Sequence, residues 1–411
     1  MKILLLAPHP FFQQRGTPIA EKMLLTTLAE HGHEIDVLTY PEGEDVDIPN
    51  VHIHRIPRLP GVRNVRPGFS LKKLANDAAM LGKALAMMRR NRYDLVHAVE
   101  ESAFMALLGR RLFGVPYIYD MDSGLAQQMI DRFSWLARLR WFLELFERRA
   151  ARDSAGILAV CRSLEEQARA WHPRGLIARL EDVSLLANDG NVLHLGSDLQ
   201  LPHNPHGGRT PVVMYVGNLE GYQGIDLLLE SFRRAVRRVP EARLVLIGGT
   251  GEHVARYKER SERMGIADSV HFAGPRPVER LGAYLRLATV LASPRIQGTN
   301  TPMKVYSYLD SGRPLIATRL PTHTQVLTDD IALLVEPEPE AMGDGLVALL
   351  QDEVLRERLA AAARQHAQRE FTPQAFEKKL LHFYSTVAQT IGGNWFHGET
   401  ARLEAGRQSR R

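Results

Sequence analysis

The residues best suited to chemistry fall in one stretch, GTNTPMKVYSYLDSGRPLIAT, residues 298–318. It follows an apolar run, Thr289 to Ser293, that reads as a β-strand, and it opens a short helix expected to end at Gly312. Thr301 is a good N-cap, and Pro302 would take the first helical position, where its missing N–H costs nothing. Lys304 then falls in the first turn. Free N–H groups, the positive end of the helix dipole and a lysine ammonium would converge beyond the carboxyl end of a strand. Open α/β sheets hold ligands there, and the chemistry suits a diphosphate. An ordinary strand–loop–helix connection carries the same local signals, so the surrounding organisation has to decide between them.

Other polar residues offer weaker constellations. Asp120 and Asp122 follow an apolar strand as D-M-D, and paired carboxylates can hold a divalent cation beside a diphosphate. The competing reading leaves Asp120 to cap the following loop. His52 and His54 alternate along a strand without the carboxylate or cysteine companions of a metal site, and read with His9 as structural or surface residues. His97 ends a strand, where substrate binding and a satisfied buried histidine are both open. Gly16, in the loop after the first strand, permits close backbone approach to a ligand, or simply serves a turn.

These residues need elements to hold them. Short apolar runs alternate with amphipathic helical runs twice over, which implies parallel sheets covered on both faces. The first series has strands at Ile3–Ala7, Ile35–Tyr40, Val51–Ile56, Leu95–Val99, Tyr117–Tyr119 and Gly156–Cys161, with a weaker one near Val183–Ala187. The second has Val212–Val216, Leu244–Ile247, Val270–Phe272, Val290–Ala292, Leu315–Ala317 and Ala332–Val335. Between them Leu199–Thr210, rich in Pro, His, Asn and Gly, reads as a linker. The expected division is a first domain over 1–198, the linker over 199–210, a second domain over 211–372, a helix over 373–391 that crosses back to the first domain, and a flexible tail over 392–411. Two doubly wound domains facing across a cleft favour a shared ligand.

Of the 411 residues, 45% are hydrophobic and 24% charged, as in ordinary globular proteins. The opening MKILLLAPHPFF is expected to be a first strand rather than a signal peptide, and no apolar run approaches the ~20 residues that span a bilayer. Cys161 is the only cysteine, which excludes disulfides within the chain and multi-cysteine metal sites and fits a reducing cytoplasm. The net charge of +5 allows anionic partners without demanding one. The stretch Arg132–Arg152 mixes arginines with Trp135, Leu136, Leu139, Phe142, Leu143 and Phe146. It reads as a core-packing helix with a solvated basic face, the other reading being a basic amphipathic helix on an anionic membrane. No basic segment interleaved with aromatics suggests nucleic-acid binding.

With strand, cap, lysine and twin-domain order in view, the chain resembles the retaining glycosyltransferases of the GT-B fold, the family 4 or "group 1" type. The likeness rests on "EHGHEIDVLTY", "YDLVHAV", "MYVGNLEGYQGIDLLLESF", "LVLIGGTGE", "VHFAGPRP" and "TPMKVYSYLDSGRPLIAT" in family order over about 300 residues. It implies two Rossmann-like domains, the acceptor on the first and a nucleotide-diphosphate-sugar donor on the second. The implied reaction is retaining, hexosyl-type transfer to a glycan, lipid-linked or small-molecule acceptor, as in cell-surface polysaccharide or glycolipid synthesis. The nucleotide sugar is a substrate, and the likeness implies neither a cofactor nor a metal.

Carried over residue by residue, the resemblance implies Lys304 and Asp122 as catalytic. It implies donor binding by Gly16, Asn218, Gln223, Gly224, Gly274, Arg276, Thr299, Asn300, Thr301, Pro302, Met303 and Ser307, and acceptor or sugar contacts by His97, Arg15 and Thr17. The chain departs from the family at four charged positions: Asn218 and Gln223 replace the usual Arg and Lys, and Thr299 and Ser307 the usual glutamates. Lys304 resembles a P-x-K variant that would supply the lost cation. Two alternatives stay in view: a nucleotide-sugar epimerase, built on a similar twin-domain scaffold, and a non-catalytic nucleotide-sugar-binding homologue, which the departures favour. The expected location is the cytoplasm, with peripheral contact at the inner face of the membrane as an open reading.

Overall fold

The computed structural model describes residues 1–13, 16–62, 70–132, 138–188, 199 and 210–392. They form two compact units: Met1–Glu181 with the described part of Glu377–Arg411, and Asp182–Phe376.

Unit 1 threads β1 (Lys2–Ala7), α1 (Gly16–Glu30), β2 (Glu34–Thr39), β3 (Val51–Arg55), α2 (Leu71–Arg90), β4 (Leu95–Val99) and α3 (Ser102–Phe113). It continues through β5 (Tyr117–Met121), α4 (Leu125–Arg132), α5 (Arg140–Asp153), β6 (Gly156–Ala159), α6 (Arg162–Trp171) and β7 (Ile177–Arg179). The seven strands are parallel in the order β3-β2-β1-β4-β5-β6-β7. β1 and β4 are almost wholly apolar because helices cover both faces, which removes the alternation of a half-solvated sheet. Leu5 lies opposite Val37 on one side and His97 on the other, so the strand order reverses between β1 and β4. A ligand crevice opens at such a reversal, beyond the carboxyl ends of the strands.

Unit 2 contains β8 (Val212–Val216), α7 (Ile225–Arg238), β9 (Arg243–Ile247), α8 (Gly251–Arg263), β10 (Val270–Gly274), α9 (Leu281–Leu287) and β11 (Val290–Ser293). Then come α10 (Lys304–Asp310), β12 (Leu315–Thr318), α11 (Pro321–Thr324), β13 (Leu333–Val335), α12 (Pro339–Gln351) and α13 (Glu353–Glu370). The parallel order is β10-β9-β8-β11-β12-β13, with the same reversal between β8 and β11. Ile225, Leu228, Leu229 and Phe232 form the fully buried stripe of α7. Each such side chain contributes roughly 1.5–3 kcal/mol by leaving water.

The last described helix, α14 (Pro373–Thr390), belongs from Glu377 onward to unit 1. Its Phe383 ring lies so close to β6 that a Cβ on Gly156 would approach it to 2.8 Å.

Two expectations change. The strand expected near Val183–Ala187 is a 3₁₀ turn at Leu185–Asn188, and the seventh strand is the earlier Ile177–Arg179. Ser307 and Asp310 hold the turn: the Ser307 hydroxyl accepts from the Leu185 amide at 3.0 Å, and Ser184 donates to Asp310 at 2.6 Å. The Thr301 cap also gives way. The α-helix starts at Lys304, and its capping residue is Met303, with no side-chain bond. The carbonyls of Pro302 and Met303 accept from Val305 and Tyr306, bonds three residues apart that tighten the entry and displace the start. The linker 199–210, apart from Leu199 and Thr210, and the tail beyond Gly392 lie outside the described residues.

Candidate functional site

In unit 2 the loops after β8 and β11 meet. The Tyr215 hydroxyl, at the end of β8, donates to the Asn218 carbonyl at 2.6 Å, while the Lys304 ammonium sits 3.8 Å from the centre of the Tyr215 ring. The same ammonium donates to Gln223 Oε1 at 3.0 Å. Two glycines make the meeting sterically feasible. A Cβ on Gly217, where φ is +150°, would stand 2.8 Å from Lys304 Nζ, and one on Gly224 would collide with the Pro294 carbonyl oxygen at 1.9 Å. Gly224 also has φ +75°, which disfavours any side chain there.

Arg295 is the second cation of the site and is only 8% exposed. Its Nε donates to the Gln297 carbonyl at 2.7 Å and a terminal nitrogen donates to Asn300 Oδ1 at 3.0 Å, with the Tyr222 ring 5.2 Å from the guanidinium. Thr322 donates to the Asn300 carbonyl at 2.7 Å and Gln325 to the Thr299 carbonyl at 2.8 Å. The 297–300 loop is therefore held from both sides. His323, fully buried, bridges the ends of β11 and β12 through Ser293 and Thr318, and burial pushes its pKa down to about 3.

Neither cation meets a carboxylate among the described residues. Burial, and secondarily the charge of Arg295, hold Lys304 well below the ordinary lysine range; burial also lowers Arg295. Two neighbouring cations with only neutral partners leave a charge deficit that a bound anion would fill. Thr301 adds a hydroxyl that is buried and makes no hydrogen bond.

The structure thus brings together Lys304, Gln223, Gly224, Asn218 and Asn300, with Pro302 and Met303 at the entry to α10. Gly274 (φ +67°) joins through backbone alone, its carbonyl accepting from Gly248 at 2.8 Å. Arg276, beyond it, is exposed and donates to the Pro275 carbonyl at 3.2 Å. Ser307 is fully buried, with its hydroxyl committed to the Leu185 amide.

In unit 1 the carboxyl ends of β1, β4 and β5 gather a second polar cluster. His97 is fully buried, with Nδ1 2.7 Å from the Tyr384 hydroxyl of α14 and Nε2 2.9 Å from Asp120. Asp120 is thereby a histidine partner and not the loop cap that the sequence suggested. His9 pairs with Glu21 at 2.9 Å. Burial raises the Glu21 pKa, the His9 charge opposing that shift and Asp120 adding to it. Asp122 lies half-buried just past β5, followed by Ser123, whose hydroxyl donates to Glu100 at 2.7 Å. Gly16 is exposed as the first residue of α1, with Thr17 beside it, and Arg15 lies outside the described residues. Among the described residues no three His, Cys, Asp or Glu side chains are grouped to hold a metal.

Sequence reading missed Arg295 and Glu21. Only Glu21 left a signal: it occupies the inward stripe of α1 with Pro18, Leu24, Leu25 and Leu28, where an unpaired carboxylate would be costly.

Residues 198–366 match the family model "Glycosyl transferases group 1", and residues 21–180 match "Glycosyl transferase 4-like domain". A phosphatidyl-myo-inositol mannosyltransferase of Mycobacterium leprae is 24% identical over 393 residues, 94% of this chain and 97% of that one. Sucrose-phosphate synthase of Thermosynechococcus elongatus superposes with a TM-score of 0.75 at 19% identity, covering 94% of this chain and 99% of that chain. The Anabaena protein HepE, solved in complex with UDP, gives 0.69 at 14% identity over 94% and 100% of the two chains.

Proposed function

Because this chain belongs to the group 1, family-4-type glycosyltransferases of the GT-B fold, we propose that it takes its sugar from a nucleotide-diphosphate donor bound at Lys304 and Arg295. The observation that carries the reading is a half-buried lysine and a buried arginine that act electrostatically on each other and, among the described residues, meet no carboxylate. Breaking the anomeric C–O bond puts positive charge on the sugar and growing negative charge on the leaving phosphate. Lys304 stabilises the latter, held over Tyr215 by Gln223 before the donor arrives, so little reorganisation remains for the transition state. Arg295 acts through the loop it grips, presenting 299–303 to the diphosphate. The unpartnered Thr301 hydroxyl is available to the same group.

On this reading 211–372 is the donor domain and 1–198 the acceptor domain, and Asp122 contacts the transferred sugar. Transfer proceeds with retention of anomeric configuration and a hexose is the group moved, to a hydroxyl of a glycan, lipid-linked or small-molecule acceptor. The UDP in HepE and the mannosyl transfer to phosphatidyl-myo-inositol in the mycobacterial relative's name support this donor and acceptor chemistry. The test is a thermal-shift panel of uridine, guanosine and adenosine diphosphate sugars, since a ligand that binds only the folded state raises its apparent stability. Nucleoside diphosphate release and the anomeric proton coupling of the product follow for the donor that binds. Absence of a shift with every donor at millimolar concentration would overturn the assignment, and an inverted product would overturn retention.

A further inference from the structure

Among the described residues, exposed large apolar side chains concentrate on two adjoining helices of unit 1. Of the thirteen large hydrophobic side chains exposed among the described residues, eight lie on α3 or on α5 and the residue before it. Trp141 is 68% exposed, Leu145 54%, Phe146 51% and Phe142 43%. They are contiguous: the Trp141 and Phe142 rings are 5.8 Å apart, and the Phe142 and Phe146 rings 5.1 Å apart at 84°. The inward face of α5 is already committed through Glu147, Ala150 and Ala151, so the aromatic side is a second apolar face, not a misplaced core. The expectation of a core-packing helix with a merely basic outer face fails for this reason.

Two features say what covers the patch. Phe146 also lines a groove with Phe104, Leu125, Met129 and Leu143, so the apolar surface runs inward between α3, α4 and α5. Around it stand Arg138, Arg140, Arg148, Arg149 and Arg152, all exposed, with Arg110 and Arg111 at the end of α3. The acidic side chains there are few. Glu144 lies between Arg140 and Arg148, and Asp153 between Arg149 and Arg111. An excess of arginines on the helices that expose Trp, Phe and Leu matches a surface that is anionic at the rim and apolar just beneath.

We propose that this face of α3 and α5 docks the protein on an anionic phospholipid bilayer, Trp141, Phe142, Leu145 and Phe146 entering the headgroup–acyl boundary and the arginines engaging lipid phosphates. The inference is independent of the donor reading, because it concerns adsorption and not turnover.

Co-sedimentation of the full chain with vesicles of phosphatidylglycerol and phosphatidylcholine in equal parts tests it, with pure phosphatidylcholine vesicles alongside. The mixed vesicles should bind at least tenfold more tightly, with a blue shift of tryptophan emission that Trp141→Phe abolishes. Trp141→Gln/Leu145→Gln should weaken binding at least 30-fold. Arg148→Gln/Arg149→Gln should weaken it several-fold and flatten its salt dependence. Both variants should keep the melting temperature and the donor-induced thermal shift. Three results would overturn the proposal: wild-type protein left in the supernatant, variants that bind like wild type, or a dimer in solution that Trp141→Gln/Leu145→Gln dissociates. The last would assign the patch to a second copy of this chain.

Discussion

Lys304→Met separates the electrostatic role of this lysine from its bulk. In the free protein two opposing terms set the cost of the change. The half-buried ammonium is held below the ordinary lysine range chiefly by desolvation, so its removal relieves the fold. Against this, Gln223, only 6% exposed, loses the donor at 3.0 Å, and a stranded buried acceptor costs roughly 1–3 kcal/mol. The two terms oppose each other, and the melting temperature of the free variant should move by a few degrees only. The donor complex has no such opposing term. Unit charges about 4 Å apart interact by ~4 kcal/mol at an effective dielectric near 20, and loss of one preorganised group at a developing anion commonly costs about 3–4 kcal/mol. kcat/KM should therefore fall 10²- to 10³-fold.

The same geometry dictates a proton signature. Lys304 is held below its ordinary pKa while free and returns toward it beside a diphosphate, so binding takes up protons and weakens as pH rises through the interval between the two values. Calorimetry of nucleoside diphosphate binding in buffers of different ionisation enthalpy reads that uptake directly, and Lys304→Met should abolish it. Binding with no proton uptake in the wild type, together with unchanged kcat/KM in a folded variant, would refute the placement of the diphosphate at Lys304.

Arg295→Lys keeps the charge but cannot span both Gln297 and Asn300, so the donor KM should rise about tenfold or more, measured by initial rates at saturating acceptor. Tyr384→Phe leaves the buried His97 Nδ1 without its partner and should cost about 1–3 kcal/mol in urea unfolding; an unchanged midpoint would show that α14 is not held through this bond. Acid should destabilise the protein through buried histidines. His33 is pushed down to about 4, chiefly by burial, and His323 to about 3. A histidine with a lowered folded pKa binds fewer protons folded than unfolded, so stability is lost as pH falls from about 6.5 toward those values. Unfolding midpoints between pH 7 and 4 should fall accordingly, and less steeply in His33→Gln/His323→Gln.

The sequence by itself determined the elements. A short continuous apolar run, or a period of 3.6 in apolar residues, reports how one segment meets its surroundings, so the strands Val212–Val216 and Val290–Ala292 and the stripe of α7 were legible without knowing their neighbours. So was the neighbourhood of Lys304, because proline and glycine announce local backbone geometry. The tertiary structure decided every pairing that crosses the topology. His97 meets Tyr384 from 287 residues away, and Lys304 meets Gln223 from 81. Arg295 became a clamp only once β11, α10 and α11 stood around one loop. Ser307 looked like a ligand-facing hydroxyl until a turn 122 residues earlier claimed it. Likewise the pattern of α5 could show that Trp141 and Phe142 are apolar, but not that the core beneath was already filled by Glu147, Ala150 and Ala151. Local periodicity records a preference for burial, and whether burial happens depends on which other surfaces arrive, which only the folded sheet order specifies.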